Sequence, residues 1–374
     1  MGNSMPIENI STQLTTLTDL EITAVKGLTC LPEGMLNNNN SLTYLDVHRC
    51  DELTCIALDV SDTVPLLEEL SIDGCLSLES IRITQGIASL RQLMIYGCEG
   101  LSSLEFGLDY CTSLQKLEIS CCPNLMSIPT TQGMPSLRKL MIEECEGLSS
   151  LGSGISFCTS LQELEIKGCD NLTSIPITQG MPSLRSLKIC YCEELSRLGS
   201  GISFCTSLQE LEIKGCDNLT SIPITQGITS LRSLNISFNQ RLLNLPSGLQ
   251  FCTSLQELGI GPLWEEDRFR SSSDYQQRKR RRLISLWTPN MAMEPENLIG
   301  LEALPEWLGN LTSLEALSIY YCENLKYLPT INAMKNLTKL KQLDIRGCPL
   351  LKERCTKETG PEWPKISHIP DLRF

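Results

Sequence analysis

Apolar and polar residues alternate along the chain in one recurring arrangement. Leu161–Pro176, LQELEIKGCDNLTSIP, displays it as L-x-x-L-x-I-x-x-C-x-x-L-x-x-I-P. With the first leucine as marker, copies begin at Leu17, Leu42, Leu67, Leu90, Leu114, Leu137, Leu161, Leu184, Leu208, Leu231, Leu255, Leu314 and Leu340. Most steps are 23 or 24 residues; between Leu90 and Leu255 the two alternate, and residues 151–180 recur unchanged at 198–227. In L-x-x-L-x-I the fourth and sixth places are apolar and their neighbours polar, the two-residue period of a half-buried strand. Leu164 and Ile166 are therefore predicted to point inward, and Glu163, Glu165 and Lys167 outward.

A single unit cannot stand alone. Ordering its residues costs about 1–2 kcal/mol each, and each buried apolar side chain returns roughly 1.5–3 kcal/mol. Stacking on neighbours supplies the remainder, and a fixed period with this leucine spacing predicts leucine-rich repeats. The expected fold class is an α/β solenoid: a horseshoe with a parallel sheet on the concave face and an irregular, short-helix convex side. At about 4.8 Å per strand, the repeats would span some 60 Å along the arc.

The pattern divides the chain into an uncapped segment (1–16), repeats (17–260), a basic insertion expected to be disordered (261–297), terminal repeats (298–351) and a polar cap (352–374). The first strand's edge has no capping element, which predicts a C-terminal part of a longer protein or a docked neighbour. The step from Leu255 to Leu314 is 59 residues, and the excess holds Arg278, Lys279, Arg280, Arg281 and Arg282 between Trp264 and Trp287. That run reads as a solvated loop, or alternatively as a nuclear-import or nucleic-acid segment. A degenerate strand is expected at Leu283–Leu286.

Composition narrows the function. A net charge of −13 argues against a general nucleic-acid or anionic-membrane binder. No apolar run approaches the ~18 residues of a membrane span, and the first ten residues lack the features of a leader. Ten of the 19 cysteines share one register: Cys50, Cys75, Cys98, Cys122, Cys145, Cys169, Cys192, Cys216, Cys322 and Cys348, with Asn239 taking the place once. A recurring position is a packing position, here a small buried residue whose S–H meets a carbonyl. Cys111, Cys158, Cys205 and Cys252 have the same explanation. Reduced thiols at this density suggest a cytoplasmic or nuclear compartment. There is no nucleophile triad, zinc motif or phosphate loop, so no enzyme activity, cofactor or metal is expected.

The informative surface is then the outward face of the concave sheet. Glu118, Met141, Glu165, Lys188 and Glu212 occupy the fifth place of their repeats, with Lys167 and Lys214 at the seventh, so opposite charges should meet between strands. Tyr44, Tyr96, Tyr191, Phe238, Tyr320 and Tyr321 also fall at outward places and are expected as exposed anchors for a protein partner.

Glu302–Leu317 (EALPEWLGNLTSLEAL) and Cys348–Pro370 (CPLLKERCTKETGPEWPKISHIP) resemble the C-terminal end of plant intracellular nucleotide-binding leucine-rich-repeat disease-resistance proteins of the coiled-coil type. The tail's Cys-Pro-x-Leu, Arg-Cys, Gly-x-x-Trp-Pro and Ile-x-His-Ile series is not demanded by repeat geometry. The resemblance implies the sensor part of such a receptor, with a pathogen effector, a host target or the receptor's own nucleotide-binding domain as partner. Nucleotide binding is not carried over, because the phosphate loop is absent. An interaction scaffold such as the substrate-binding half of a ubiquitin-ligase receptor is the alternative.

Overall fold

The computed structural model describes residues 16–31, 41–58, 66–83, 87–106, 108–239, 241–242, 244–261 and 301–374. Each L-x-x-L-x-I unit contributes one strand, covering its third to seventh places. The strands are β1 (Asp19–Thr23), β2 (Tyr44–His48), β3 (Glu69–Asp73), β4 (Gln92–Tyr96), β5 (Lys116–Ser120), β6 (Lys139–Glu143) and β7 (Glu163–Lys167). There follow β8 (Ser186–Cys190), β9 (Glu210–Lys214), β10 (Ser233–Ser237), β11 (Glu257–Ile260), β12 (Ala316–Tyr320), β13 (Gln342–Arg346) and β14 (Asp371–Arg373). They form one 14-stranded sheet in sequence order. Every pairing is parallel, and place matches place: Leu164 lies beside Leu140 and Leu187, Ile166 beside Ile142 and Ile189.

The fourth- and sixth-place residues form an unbroken ladder; Leu45, Leu70, Leu93, Leu117, Leu187 and Leu343 are fully buried. Leucines at the first and twelfth places, such as Leu161 and Leu172, fill the rest of each coil's interior. The register cysteines are buried among them. Cys75 Sγ donates to the carbonyls of Val47 and Asp73, and Cys216 Sγ to those of Ile189 and Lys214. Asn239 makes the same connection with stronger partners: its Nδ2 donates to Ile213 O at 2.9 Å, and its Oδ1 accepts from Cys216 N at 3.0 Å. The shared task of this place is to tie the turn after one strand to the preceding strand.

The eighth place is left-handed in nearly every coil. Gly74, Gly97, Gly168, Gly215 and Gly347 have φ between +61° and +65°, but Arg49, Cys121, Glu144, Tyr191, Phe238 and Tyr321 adopt φ of +50° to +57° at equivalent positions. Such a conformation costs a side-chain-bearing residue about 1–2 kcal/mol.

The convex side is more regular than the sequence pattern predicts. Cys55–Ala57, Ser80–Ile83 and Ser103–Phe106 form a second parallel sheet, and Ser127–Ile128 pairs with Ser150–Leu151. Alternate coils return through 3-10 helices at Leu108–Tyr110, Ser153–Phe157, Ser200–Phe204 and Ser247–Phe251.

The long step from Leu255 to Leu314 does not interrupt the sheet. β11 pairs directly with β12, Leu258 beside Leu317 and Ile260 beside Ile319. The expected strand at Leu283–Leu286 and the basic run Arg278–Arg282 lie outside the described residues, as do residues 1–15.

The tail does more than terminate the last coil. α1 (Ile331–Asn336), α2 (Pro349–Arg354) and α3 (Trp363–Ile366) bring β14 back to pair with β13. Glu362 is buried here: its Oε2 accepts from Leu328 N at 2.9 Å and from Lys365 Nζ at 2.7 Å, and Lys365 also donates to Leu328 O. The Gly-x-x-Trp-Pro series thus carries the carboxylate that ties the tail to the last coil.

Candidate functional site

Outward places three, five and seven of consecutive strands form columns across the sheet. Glu118 stands in a cationic pair of walls, 3.0 Å from Lys116 Nζ on its own strand and 2.9 Å from Lys139 Nζ on the next. Burial pushes its carboxyl up, and the hydrogen bonds and charges of Lys139 and Lys116 outweigh that and hold it below its ordinary value. Met141 follows in the same column, beside Glu118 and Glu165.

Glu165, Lys188 and Glu212 are neighbours on β7, β8 and β9. Lys188 makes its ion pair with Glu210, at 3.0 Å, which lies at the third place and not in the fifth-place column. That hydrogen bond raises the Lys188 ammonium; burial opposes it, and the charges of Glu210, Glu212 and Glu165 add to the rise. Lys167 reaches Glu143 at 3.8 Å. Opposite charges do meet between strands, with some partners displaced by one outward place.

The aromatics divide into two groups. Tyr96 is exposed, at 55%. Tyr44, Tyr191, Phe238, Tyr320 and Tyr321 are half-buried, which corrects the expectation of exposed anchors. For Tyr191 and Tyr321 the backbone explains the difference. In left-handed conformation at the eighth place, the Tyr191 ring swings sideways over the next coil, where a Cβ on Gly215 would lie 2.5 Å from its Cδ1. Tyr321 covers Gly347 in the same manner.

Between Tyr191 and Phe238 lies Lys214, 3% exposed, its ammonium 5.8 Å from the first ring and 5.9 Å from the second. A cation held between two π faces fixes both rings. At the other end of the sheet, Tyr320 Oη donates to buried Asp344 at 3.2 Å, Arg346 donates to the same carboxylate at 2.9 Å, and the guanidinium lies 6.0 Å from the Tyr320 ring. Alternation alone identifies Tyr320 and Tyr191 as outward; it gives no sign of Asp344 or of a buried Lys214, because both places read as solvated.

Two further groups escaped the sequence reading. Glu21, Asp46 and His48 have potential ligand atoms within 4.8 Å of one another on β1 and β2. Pairing of the strands assembles them, with His48 Nδ1 3.6 Å from Asp46 and 3.9 Å from Glu21. On the convex side, Tyr110, Phe157, Phe204 and Phe251 end successive 3-10 helices and are each about half exposed. Their signal was available: each immediately precedes one of the cysteines Cys111, Cys158, Cys205 and Cys252. Among the described residues no helix is long and apolar enough to cross a membrane.

A continuous parallel sheet built from stacked leucine-rich coils, with fixed columns of charge on its outward face, defines a repeat protein of the interaction-module class. The model of the BspA type leucine rich repeat region matches residues 48–165 and 155–259 in six copies, and the chain belongs to that family. Over 54 residues it is 41% identical to the disease resistance protein RGA4 of Solanum bulbocastanum, covering 14% of this chain and 5% of that one. Over 74 residues it is 38% identical to the disease resistance RPP8-like protein 3 of Arabidopsis thaliana, covering 19% of this chain and 8% of that one. The chain spans less than a tenth of the length of these relatives, and the match is to plant disease-resistance proteins, as the tail and repeat motifs led one to expect. A chain of the Toll–Spatzle complex from Drosophila superposes with a TM-score of 0.50 at 18% identity over 91% of this chain and 43% of that chain, a likeness of fold.

Proposed function

We propose that this solenoid is the recognition part of a plant intracellular immune receptor, and that its concave sheet binds a pathogen effector or a host protein. The observation that carries the reading is the Tyr191–Lys214–Phe238 stack beside the Lys188 and Glu165–Glu212 column. These rings are held in place before any partner arrives, so binding them costs little side-chain entropy. Aromatics fixed near the centre of a rigid face have the character of binding hot spots. Tyr44, Tyr96, Glu118, Met141, Tyr320 and Tyr321 would contribute on either side, as charges and contacts that set which partner fits. The identities to plant disease-resistance proteins support the immune setting. The receptor's own nucleotide-binding domain is a third candidate partner for the same face. Residues 261–297 are assigned to a basic insertion outside this recognition role.

Affinity capture from leaf extract, comparing the wild-type chain with a Tyr191→Ala/Lys188→Glu variant, tests the proposal. At least one protein should be retained by the wild type and lost from the variant. Retention of every partner by the variant would remove the concave face from consideration.

A further inference from the structure

Most cysteines of this chain are packing residues, but Cys30 and Cys55 are not. Cys30 is exposed and Cys55 half-buried, and neither belongs to the repeating register. They face each other across a parallel bridge between the return arms of the first two coils, and their sulfurs are 3.2 Å apart. Thr54 N donates to Thr29 O at 2.9 Å beside them and holds the register. The exposed environment contrasts with that of Cys75 or Cys145, whose S–H groups are spent on buried carbonyls. Of the other partly exposed thiols, Cys190 ends β8 between Lys167 and Lys214, and Cys121, in the turn after β5, donates to Glu144 Oε2 at 3.7 Å.

We infer that Cys30 and Cys55 form a reversible disulfide that staples the first coil to the second when a hydroperoxide reaches them. The two sulfurs need to close by only roughly 1 Å, and parallel neighbours lie within the Cα separation that a disulfide tolerates. Cys30, as the open thiol, attacks the peroxide: its thiolate sulfur bonds to one oxygen, the O–O bond breaks, and the other oxygen leaves as water or an alcohol after taking up a proton. Cys55 then attacks the sulfenic sulfur, the S–O bond breaks, and the second oxygen leaves as water. Two thiols have lost two electrons and two protons, and one hydroperoxide has gained them. The Cys30 sulfur and partial burial keep the Cys55 thiol above its ordinary pKa, consistent with its acting second.

The coil that this bond would hold is the one with least support. β1 is an edge of the sheet among the described residues, and Leu20 is only half-buried where its counterpart Leu45 is fully buried. Edge coils of a repeat array open locally at low cost.

The full-length chain, reduced and then treated with one equivalent of hydrogen peroxide, should lose two hydrogens. Peptide mapping under non-reducing conditions should find Cys30 joined to Cys55, and dithiothreitol should reverse the change. Hydrogen exchange of the Asp19–Thr23 amides should slow several-fold, because the bond anchors the return arm of the first coil to the second and opposes local opening of the edge. The Cys55→Ser variant should show neither effect. Sulfinic acid at Cys30 without a cross-link, a disulfide to any other cysteine, or a cross-link that leaves exchange in β1 unchanged would each overturn the inference.

Discussion

The eighth place shows how one residue's backbone decides what its side chain can do. A left-handed turn follows nearly every strand, because the chain has to leave the sheet at a similar angle in each coil. Glycine meets that demand without strain, yet bulky residues occupy it at Tyr191, Phe238 and Tyr321. There the strain is returned as a ring laid over the neighbouring coil. Arg49 has no comparable ring contact, so Arg49→Gly should raise unfolding stability by up to about 1 kcal/mol, measurable by urea titration; a loss of stability would contradict the strain argument. The thiols also differ residue by residue. Burial pushes Cys75 up to about 11 and Cys355 up to about 12. In the native chain at neutral pH, Ellman's reagent should label Cys30 first and leave the register cysteines untouched until denaturant is added. Rapid native labelling of Cys98 or Cys145 would mean that the ladder is not closed.

Among elements, adjacent strands are coupled by side chains that alternation does not pair. Glu118 bridges β5 and β6 through Lys116 and Lys139. Its carboxyl is held below the ordinary value in the folded chain, so it favours folding above the unfolded value of about 4.3 and loses that contribution as pH falls through the folded value. The stability gap between wild type and Glu118→Gln should therefore be present at neutral pH and vanish in acid; a gap that widened on acidification would reverse the assigned sign. The tail is bound more tightly, by a carboxylate 4% exposed between Lys365 and the Leu328 backbone. Glu362→Ala leaves the buried Leu328 N without its acceptor and Lys365 with only Leu328 O, and should cost about 1–3 kcal/mol, read as loss of β14 protection in hydrogen exchange.

How much of this was legible can be seen from particular residues. The inward places were, since Leu164 and Ile166 are set by a two-residue period that nothing else in the chain imitates. The convex strands were not: Ser127–Ile128 is too short to carry any period, and only the stacked neighbour at Ser150–Leu151 makes it a strand. For the candidate site, the columns of Glu118 and Lys188 could be read, but their partners could not, because a long lysine chain reaches one place along as easily as directly across. Alternation places Tyr191 on the outward face but overstates its exposure, since it contains no information about a positive φ.

At the scale of the whole molecule, the sheet is one body even though the repeat spacing is not uniform. β11 and β12 pair as any neighbours do across the longest step in the chain. Deleting residues 264–297 should therefore leave a single cooperative transition with a melting temperature within about 3 °C of wild type; two separated transitions would show that the halves depend on that segment. A uniform inner wall of this length can change its specificity by exchanging outward residues without touching the core, and the unchanged repetition of 151–180 at 198–227 shows coils being added as ready-made units.

The most direct test of the central claim is calorimetric titration of a partner recovered by the leaf-extract capture against three chains: wild type, Tyr191→Ala/Lys188→Glu on the concave sheet, and Phe157→Ser/Phe204→Ser on the convex ridge. Recognition through the concave wall predicts that the first variant loses more than about tenfold in affinity and that the second binds as wild type does. Loss of binding confined to the convex variant would contradict it.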